Sequence, residues 1–294
     1  MNKLKILLLL MLITIQPACN KKDNLNVPLN GLGGDTWVKS PIDKWLYDSL
    51  TVPLNIEVKY KWDQSEFDMA YTLVPPAEAM VIPTAQAVLR MWIEPYNKEA
   101  GTELFMKQYA SKVLVLSGSP AVNSDGSSVQ GLAEGGLKIL LFSINSFNQK
   151  DSAGVYDMAH LLHHEFTHIL NQQKAYPITY KSVTPDGYTG GWTVAKENPL
   201  SLGYISNYAR KEPGEDIAEM VSWMMVLGKA GYEDRLTRFL ASATQVNRAQ
   251  YTDGVNKLRQ KEALIVQYFR DSYNLDFYSL QSRVQAALKA IIRK

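Results

Sequence analysis

Cysteine is almost missing from this chain of 294 residues, which has only Cys19. A lone thiol has no partner in its own chain, so no internal disulfide can close the fold. An excess of charge of one sign is missing too. Lysine and arginine number 31 against 29 aspartates and glutamates, a balance that offers nothing for a nucleic acid to be drawn to. The one long apolar run, Ile6 to Ile15, is well short of the roughly 20 residues that a bilayer-spanning helix needs. Internal repeats and low-complexity tracts are absent. Histidine is scarce, with four in all, yet His160, His163, His164 and His168 fall within nine positions.

The N-terminus reads as targeting rather than fold. Lys3 and Lys5 precede the apolar run and Gln16-Pro17-Ala18-Cys19 follows it, the basic and hydrophobic regions of an export signal. An ordinary cleavage site wants small residues at −1 and −3, which Gln16 is not; a small residue directly before a cysteine resembles a bacterial lipobox. A sole cysteine at this spot is best explained as a lipid attachment point. The expectation is a lipoprotein signal peptide over 1–18, a lipidated polar and glycine-bearing tether over 19–40, and a folded domain over 41–294. Loss of 1–18 removes two lysines and no acid, leaving 29 basic and 29 acidic residues. Lipid rather than charge would hold such a chain at a membrane, and the remaining chain is long enough to bury a substantial core.

Along the domain, a short helix is expected from Pro41 to Leu50 and a half-buried strand from Leu54 to Trp62, where apolar and polar residues alternate. A helical stretch opens after Pro75-Pro76 and runs through Val88, Leu89, Trp92 and Ile93, with another over 102–110. Val113–Leu116 and Leu137–Ile144 are β-rich, and the Gly-, Ser-, Asn- and Asp-rich 118–136 between them reads as a loop or long hairpin connection. Asp151 or Ser152 can cap the next helix, whose core stripe is Val155, Ala159, Leu162, Phe166 and Ile169 and which Pro177 stops at the latest. Tyr176–Gly203 suits a rim or lid over a cleft. Helices are expected over 213–227, 233–245, 254–273 and 279–292. The layout is α+β and zincin-like: an N-terminal mixed-sheet α/β lobe (41–175) with the active-site helix, and an all-helical C-terminal lobe (204–294).

The histidine-bearing helix carries His164-Glu165-Phe166-Thr167-His168, the HExxH pattern of zinc-dependent hydrolases. Positions i and i+4 share one helix face, so both imidazoles can reach one tetrahedral metal. Glu165 stands beside the first of them, where it can take a proton from a water on the metal. A shifted pair, His160 and His164, would put Leu161 in the base position, so His160 and His163 are expected to be neighbours of the site or solvent-facing. A catalytic zinc takes three protein ligands and keeps one position open. No histidine or cysteine remains downstream, so the third should be a carboxylate. The segment from Glu212 to Glu219, Glu-Pro-Gly-Glu-Asp-Ile-Ala-Glu, opens a helix at Pro213 and sets Glu215 and Glu219 at i and i+4. One can bind zinc while the other accepts a hydrogen bond from a ligand imidazole and fixes its tautomer.

HExxH, then a tyrosine, then Glu-x-x-Ala-Glu opening a helix resembles the lethal-factor-like branch of the gluzincins. In that branch the first glutamate of the second motif is the ligand, and a tyrosine seven positions before it stabilises the transition state. The resemblance implies His164, His168 and Glu215 as ligands of one zinc per chain, Glu219 beside them, Glu165 as base and Tyr208 as oxyanion donor. Over most of its length the chain also resembles the zinc-binding metallopeptidase lipoproteins of Bacteroidota, zinc metallohydrolases associated with substrate import through outer-membrane uptake systems. The function expected is a zinc-dependent metallohydrolase, a peptidase acting on peptide or protein substrates. It is anchored by lipid at Cys19 to the bacterial outer membrane, on its periplasmic or cell-surface side, and linked to a nutrient-uptake complex; no nucleic acid is a partner. The alternative is a catalytically silent, zinc-containing binding component of such a complex, and a third reading is a zinc enzyme acting on a non-peptide bond. An extended substrate would pair with a sheet edge supplied by Val113–Leu116 or Leu137–Ile144.

Overall fold

Where the chain alternates or caps strongly, its elements form locally. The structure, a computed structural model, describes residues 38–293 apart from 124, 125, 127, 130, 135 and 136; the export signal, Cys19 and most of the tether lie outside the described residues. Helix α1 (Pro41–Leu46) opens on a reciprocal cap, Asp43 N–H to Ser40 Oγ at 3.2 Å and Ser40 N–H to the Asp43 carboxylate at 2.8 Å. It runs on as a π-helical turn over Tyr47–Thr51 and a final turn that ends at Asn55, φ 58°. Strand β1 (Glu57–Lys59) is shorter than the alternation suggested, although Leu54, Ile56 and Tyr60 are all buried. Helix α2 (Glu78–Val88) passes through a π-helical turn at Leu89–Ile93 into α3 (Glu94–Ala100), which ends at Gly101; α4 (Leu104–Tyr109) follows.

The sheet then takes shape from β2 (Val113–Leu116), β5 (Gly131–Glu134) and β6 (Lys138–Leu141), with β3 (Ala121–Val122) and β4 (Ser128–Val129) forming a separate small hairpin. The order in the main sheet is β1-β2-β6-β5, with β1, β2 and β6 parallel and β5 antiparallel to β6. Successive side chains of a strand point to opposite faces. Leu114, Leu116, Ile139 and Leu141 therefore enter the large core under the helices, while Val115 and Leu140 meet Phe67, Leu73, Ala121 and Phe142 on the other side. Burial on both faces is what makes β2 and β6 read as continuous apolar runs, and it corrects an expectation. These two strands are interior, and the edges of the sheet are β1 and β5. The edge strand β5 comes from the Gly/Ser-rich stretch expected to be a loop or hairpin connection. Its four residues are too few to show an alternating pattern, and its backbone pairing with β6 holds it in place.

Helix α5 (Ser152–Gln173) is capped by the Asp151 carboxylate, which accepts from Ala153 N–H at 3.0 Å. Its stripe Val155, Ala159, Leu162, Phe166 and Ile169 is buried, with Phe166 edge-on to Trp92 and Tyr96. A Cβ on Gly131 would lie 2.7 Å from the backbone oxygen of Leu140 and 2.2 Å from a methyl of Leu161, so glycine suits the close approach of the edge strand to β6 and to α5. Helix α6 (Pro213–Ala241) lies along α5. Its helical path breaks at Gly228, whose φ of 68° and ψ of 171° suit glycine; the break falls where the expected first helix ends, at Leu227, and the second segment resumes directly after it rather than at Glu233. Carbonyls of Met224, Met225 and Val226, before the break, accept instead from Gln281 and Gln285 of α8 (Phe277–Ile292), so tertiary contacts satisfy the groups that the break frees. Helix α7 (Arg248–Tyr273) precedes α8. No helix of the described residues is long and apolar enough to cross a membrane.

Between α5 and α6 the chain runs through short turns that are tied down by a fully buried ion pair. Lys261 of α7 meets Asp216 of α6 at 2.6 Å, both side chains with no exposure. Lys261 also donates to Gly203 O at 2.8 Å and lies over the Tyr204 ring, and Tyr188 donates to Asp216 at 2.9 Å. Burial works against both charges, and these extra partners compensate them. Lys261→Met is therefore expected to destabilise the fold by about 3–5 kcal/mol, because it strands a buried carboxylate. The expected readout is a lower urea midpoint with an unchanged slope.

Candidate metal centre

Two helical periodicities converge on one point. On α5, His164 and His168 are one turn apart; on α6, Glu215 lies in the first turn, which Pro213 opens. His164 Nε2 is 3.1 Å from His168 Nε2 and 3.1 Å from Glu215 Oε2, and His168 Nε2 is 3.2 Å from the same oxygen. Among the described residues these three form a group that could hold a metal ion. Zinc bonds of about 2.0–2.2 Å in tetrahedral array separate ligand atoms by roughly 3.3 Å, so the triangle has the right size. His164 and Glu215 are nearly enclosed, while His168 keeps 27% of its side chain exposed, so the group opens to solvent on one side.

The charges favour a cation. Glu219 Oε1 lies 3.1 Å from His164 Nδ1, off the line of a well-aligned hydrogen bond, and the negative charge there favours a proton on that nitrogen, leaving Nε2 directed at the Glu215 oxygen. Lone pairs this close repel unless a positive charge sits among them. Burial alone would lower the pKa of His164, yet Glu215 and Glu219 push it up to about 9. Burial would likewise raise Glu215, but His164, His168, Lys211 and Tyr208 hold it well below the usual carboxylate range. The potential that attracts a proton to His164 is the one a metal would meet.

The two oxygens of Glu215 face different partners. Oε2 points to the imidazoles, while Oε1 accepts from Tyr208 OH at 2.8 Å and from Lys211 Nζ at 2.7 Å. Tyr208 sits in a short turn before α6, its ring edge-on to Trp192. Burial, then Glu215, raises its pKa to about 12, so it stays a donor at neutral pH. Glu219 lies one turn along α6, where Ser206 Oγ and Trp223 Nε1 donate to its Oε2. Glu165 is half-buried, its pKa raised by burial, and no hydrogen bond engages its carboxylate among the described residues. Of the other histidines, His160 meets Ser222 Oγ at 3.0 Å and Glu219 at 3.4 Å, and His163 is fully buried against Tyr96 OH. Burial lowers them to about 4 and about 3, and neither faces the cluster.

Lys211, Ser206, Trp223 and Trp192 did not emerge from the sequence. Lys211 alone carried a usable signal, since it precedes Glu215 by four residues, the spacing of a helical ion pair. The others reach the site by tertiary contact.

A family model described as "Putative zinc-binding metallo-peptidase" matches residues 35–278. A crystal structure of a putative zinc-binding metallo-peptidase from Bacteroides caccae is similar at 29% identity over 86% of this chain and 93% of that one, with a TM-score of 0.69. No curated protein matches.

Two outcomes are expected. Zinc takes a neutral imidazole, so binding at pH 7 should release about one proton from His164. Calorimetry in buffers of different ionisation enthalpy measures this, and binding should weaken as pH falls. Glu219→Ala should lower zinc affinity by about 10–100-fold through misorientation of His164, measured by competition with a chelator.

Proposed function

The chain belongs to the family whose model spans residues 35–278, and from this we propose that it is a zinc-dependent peptidase in which His164, His168 and Glu215 hold one zinc ion. Bound there, zinc would supply Lewis acidity toward a scissile carbonyl and toward a water. Glu165 takes the proton of the attacking water and hands it to the leaving amine. Its carboxylate suits that role because it is the one acid at the cluster that no described donor engages, and its raised pKa brings it nearer neutrality. Tyr208 donates to the oxygen that becomes negative in the transition state, exchanging its hydrogen bond to Glu215 for one to substrate. Lys211, held on Glu215, neutralises the carboxylate oxygen that Tyr208 leaves. Glu219 keeps His164 in the tautomer that offers Nε2. An extended substrate backbone has the free side of β5 to pair with.

The single observation that carries this reading is the triangle of two imidazole nitrogens and one carboxylate oxygen, beside an unengaged glutamate. Its test is cleavage of a peptide library by the zinc-loaded protein. Glu165→Gln is expected to keep its zinc and lose about 10²–10⁴-fold in kcat. Tyr208→Phe should lose about 10²–10³-fold in kcat with little change in KM. Full activity in the glutamine variant would overturn the assignment of the base, and stoichiometric zinc without hydrolysis of any peptide would favour the silent binding component.

We further propose that the protein is exported and anchored by lipid at Cys19 to the bacterial outer membrane, in association with a nutrient-uptake system. The support is the signal-like Met1–Ala18 segment and the placement of the sole cysteine directly after it. Cys19→Ser is expected to move the protein from the membrane to the soluble fraction.

A further inference from the structure

Helix α5 carries more than the two histidines on its exposed face. Counting back from His164, Leu161 is one turn away, and Asp157 is seven residues and two turns away, about 10 Å along the axis. At 3.6 residues per turn these positions project on the same side as His164 and His168. They line a groove of about 130 Å³ between α5 and the end of β6. Its lining is mixed, with Phe147, Met158 and Leu161 forming an apolar strip and Ser143 and Asn148 a polar one; its acidic groups are Asp151 and Asp157, and no basic residue lines it among the described residues. Asp151 is engaged in capping α5. Asp157 is exposed at the rim of the groove and makes no hydrogen bond or ion pair among the described residues; partial burial, then the like charge of Asp151, raises its pKa. Gly131, the first residue of edge strand β5, presses on Leu161 at the near end of this groove. A substrate strand added along β5 would therefore pass close to the groove mouth.

We propose that this groove is the subsite for a lysine or arginine side chain flanking the scissile bond, with the aliphatic stem against Leu161 and Met158 and the cationic head at Asp157. The proposal rests on the peptidase reading for the position of the scissile bond, and on charge complementarity for the occupant. A long side chain with an apolar stem and a charged tip is what the apolar strip of Leu161 and Met158, leading to a carboxylate at the rim, accommodates. An acidic side chain there would meet two carboxylates and be excluded.

The test uses the full zinc-loaded protein and acetylated, amidated alanine hexapeptides carrying one lysine, arginine, norleucine or glutamate at each position. Binding is read by calorimetry in the Glu165→Gln background, and cleavage sites are read by mass spectrometry with otherwise unaltered protein. Lysine and arginine peptides are expected to bind and be cut roughly tenfold better than their norleucine counterparts. Asp157→Asn should collapse that ratio toward one, and Asp157→Lys should turn the preference to glutamate. Equal handling of lysine and norleucine, or a preference untouched by Asp157→Asn, overturns the subsite. Lysine-selective binding that depends on Asp157 but brings no cleavage supports the subsite and overturns the peptidase reading. Absence of both binding and cleavage overturns both.

Discussion

The packing of α5 along the first turns of α6 governs the rest of this molecule, because it forces two imidazoles and two carboxylates into one small volume. Neither helix would choose that company for its stability. Burial penalises each charge, and the lone pairs of His164, His168 and Glu215 converge within 3.2 Å. The arrangement holds because each group has an outward partner: Glu219 has Ser206 and Trp223, and Glu215 has Tyr208 and Lys211. What remains on the inner side is a concentration of electron pairs that a proton on His164 meets at neutral pH, and that a divalent cation can meet in its place.

Stiffness for such a site comes from elsewhere in the fold. Asp216 follows Glu215 directly and is locked to Lys261 in the core, with the turns from 176 to 210 wrapped around that pair through Tyr180, Tyr188 and Tyr204. A buried ion pair adds little net stability, but it fixes the start of α6 and the approach of Tyr208 in one step. On the opposite flank, the Phe166 stripe and the glutamines of α8 hold the two long helices from behind. The cluster itself opens at His168, which keeps 27% of its side chain exposed.

Legibility followed the range of the interaction. The α5 stripe was readable because Val155, Ala159, Leu162, Phe166 and Ile169 repeat at the helical period and are buried as a set. Strands β2 and β6 were readable as runs, but their apolarity could not distinguish a central strand from an edge, and they prove central. Strand β5 was invisible, since its four residues in a Gly-rich segment are too few to show an alternating pattern. The break at Gly228 was readable from the glycine after Leu227, but the glutamines that satisfy the carbonyls before it lie some 60 residues away and were not.

The sequence by itself determined that His164 and His168 share a helix face, that Glu215 and Glu219 share another, and that no other imidazole or thiol follows them. These are consequences of local periodicity and composition. Only the tertiary structure decided which carboxylate meets Nε2 and which meets Nδ1, that Tyr208 and Lys211 share the outer oxygen of Glu215, and that Asp157 stands at the rim of a groove with Leu161 and Met158 in its lining. Those relations depend on the distance and rotation between two packed helices. Residues some 50 positions apart set that geometry, and no local pattern encodes it.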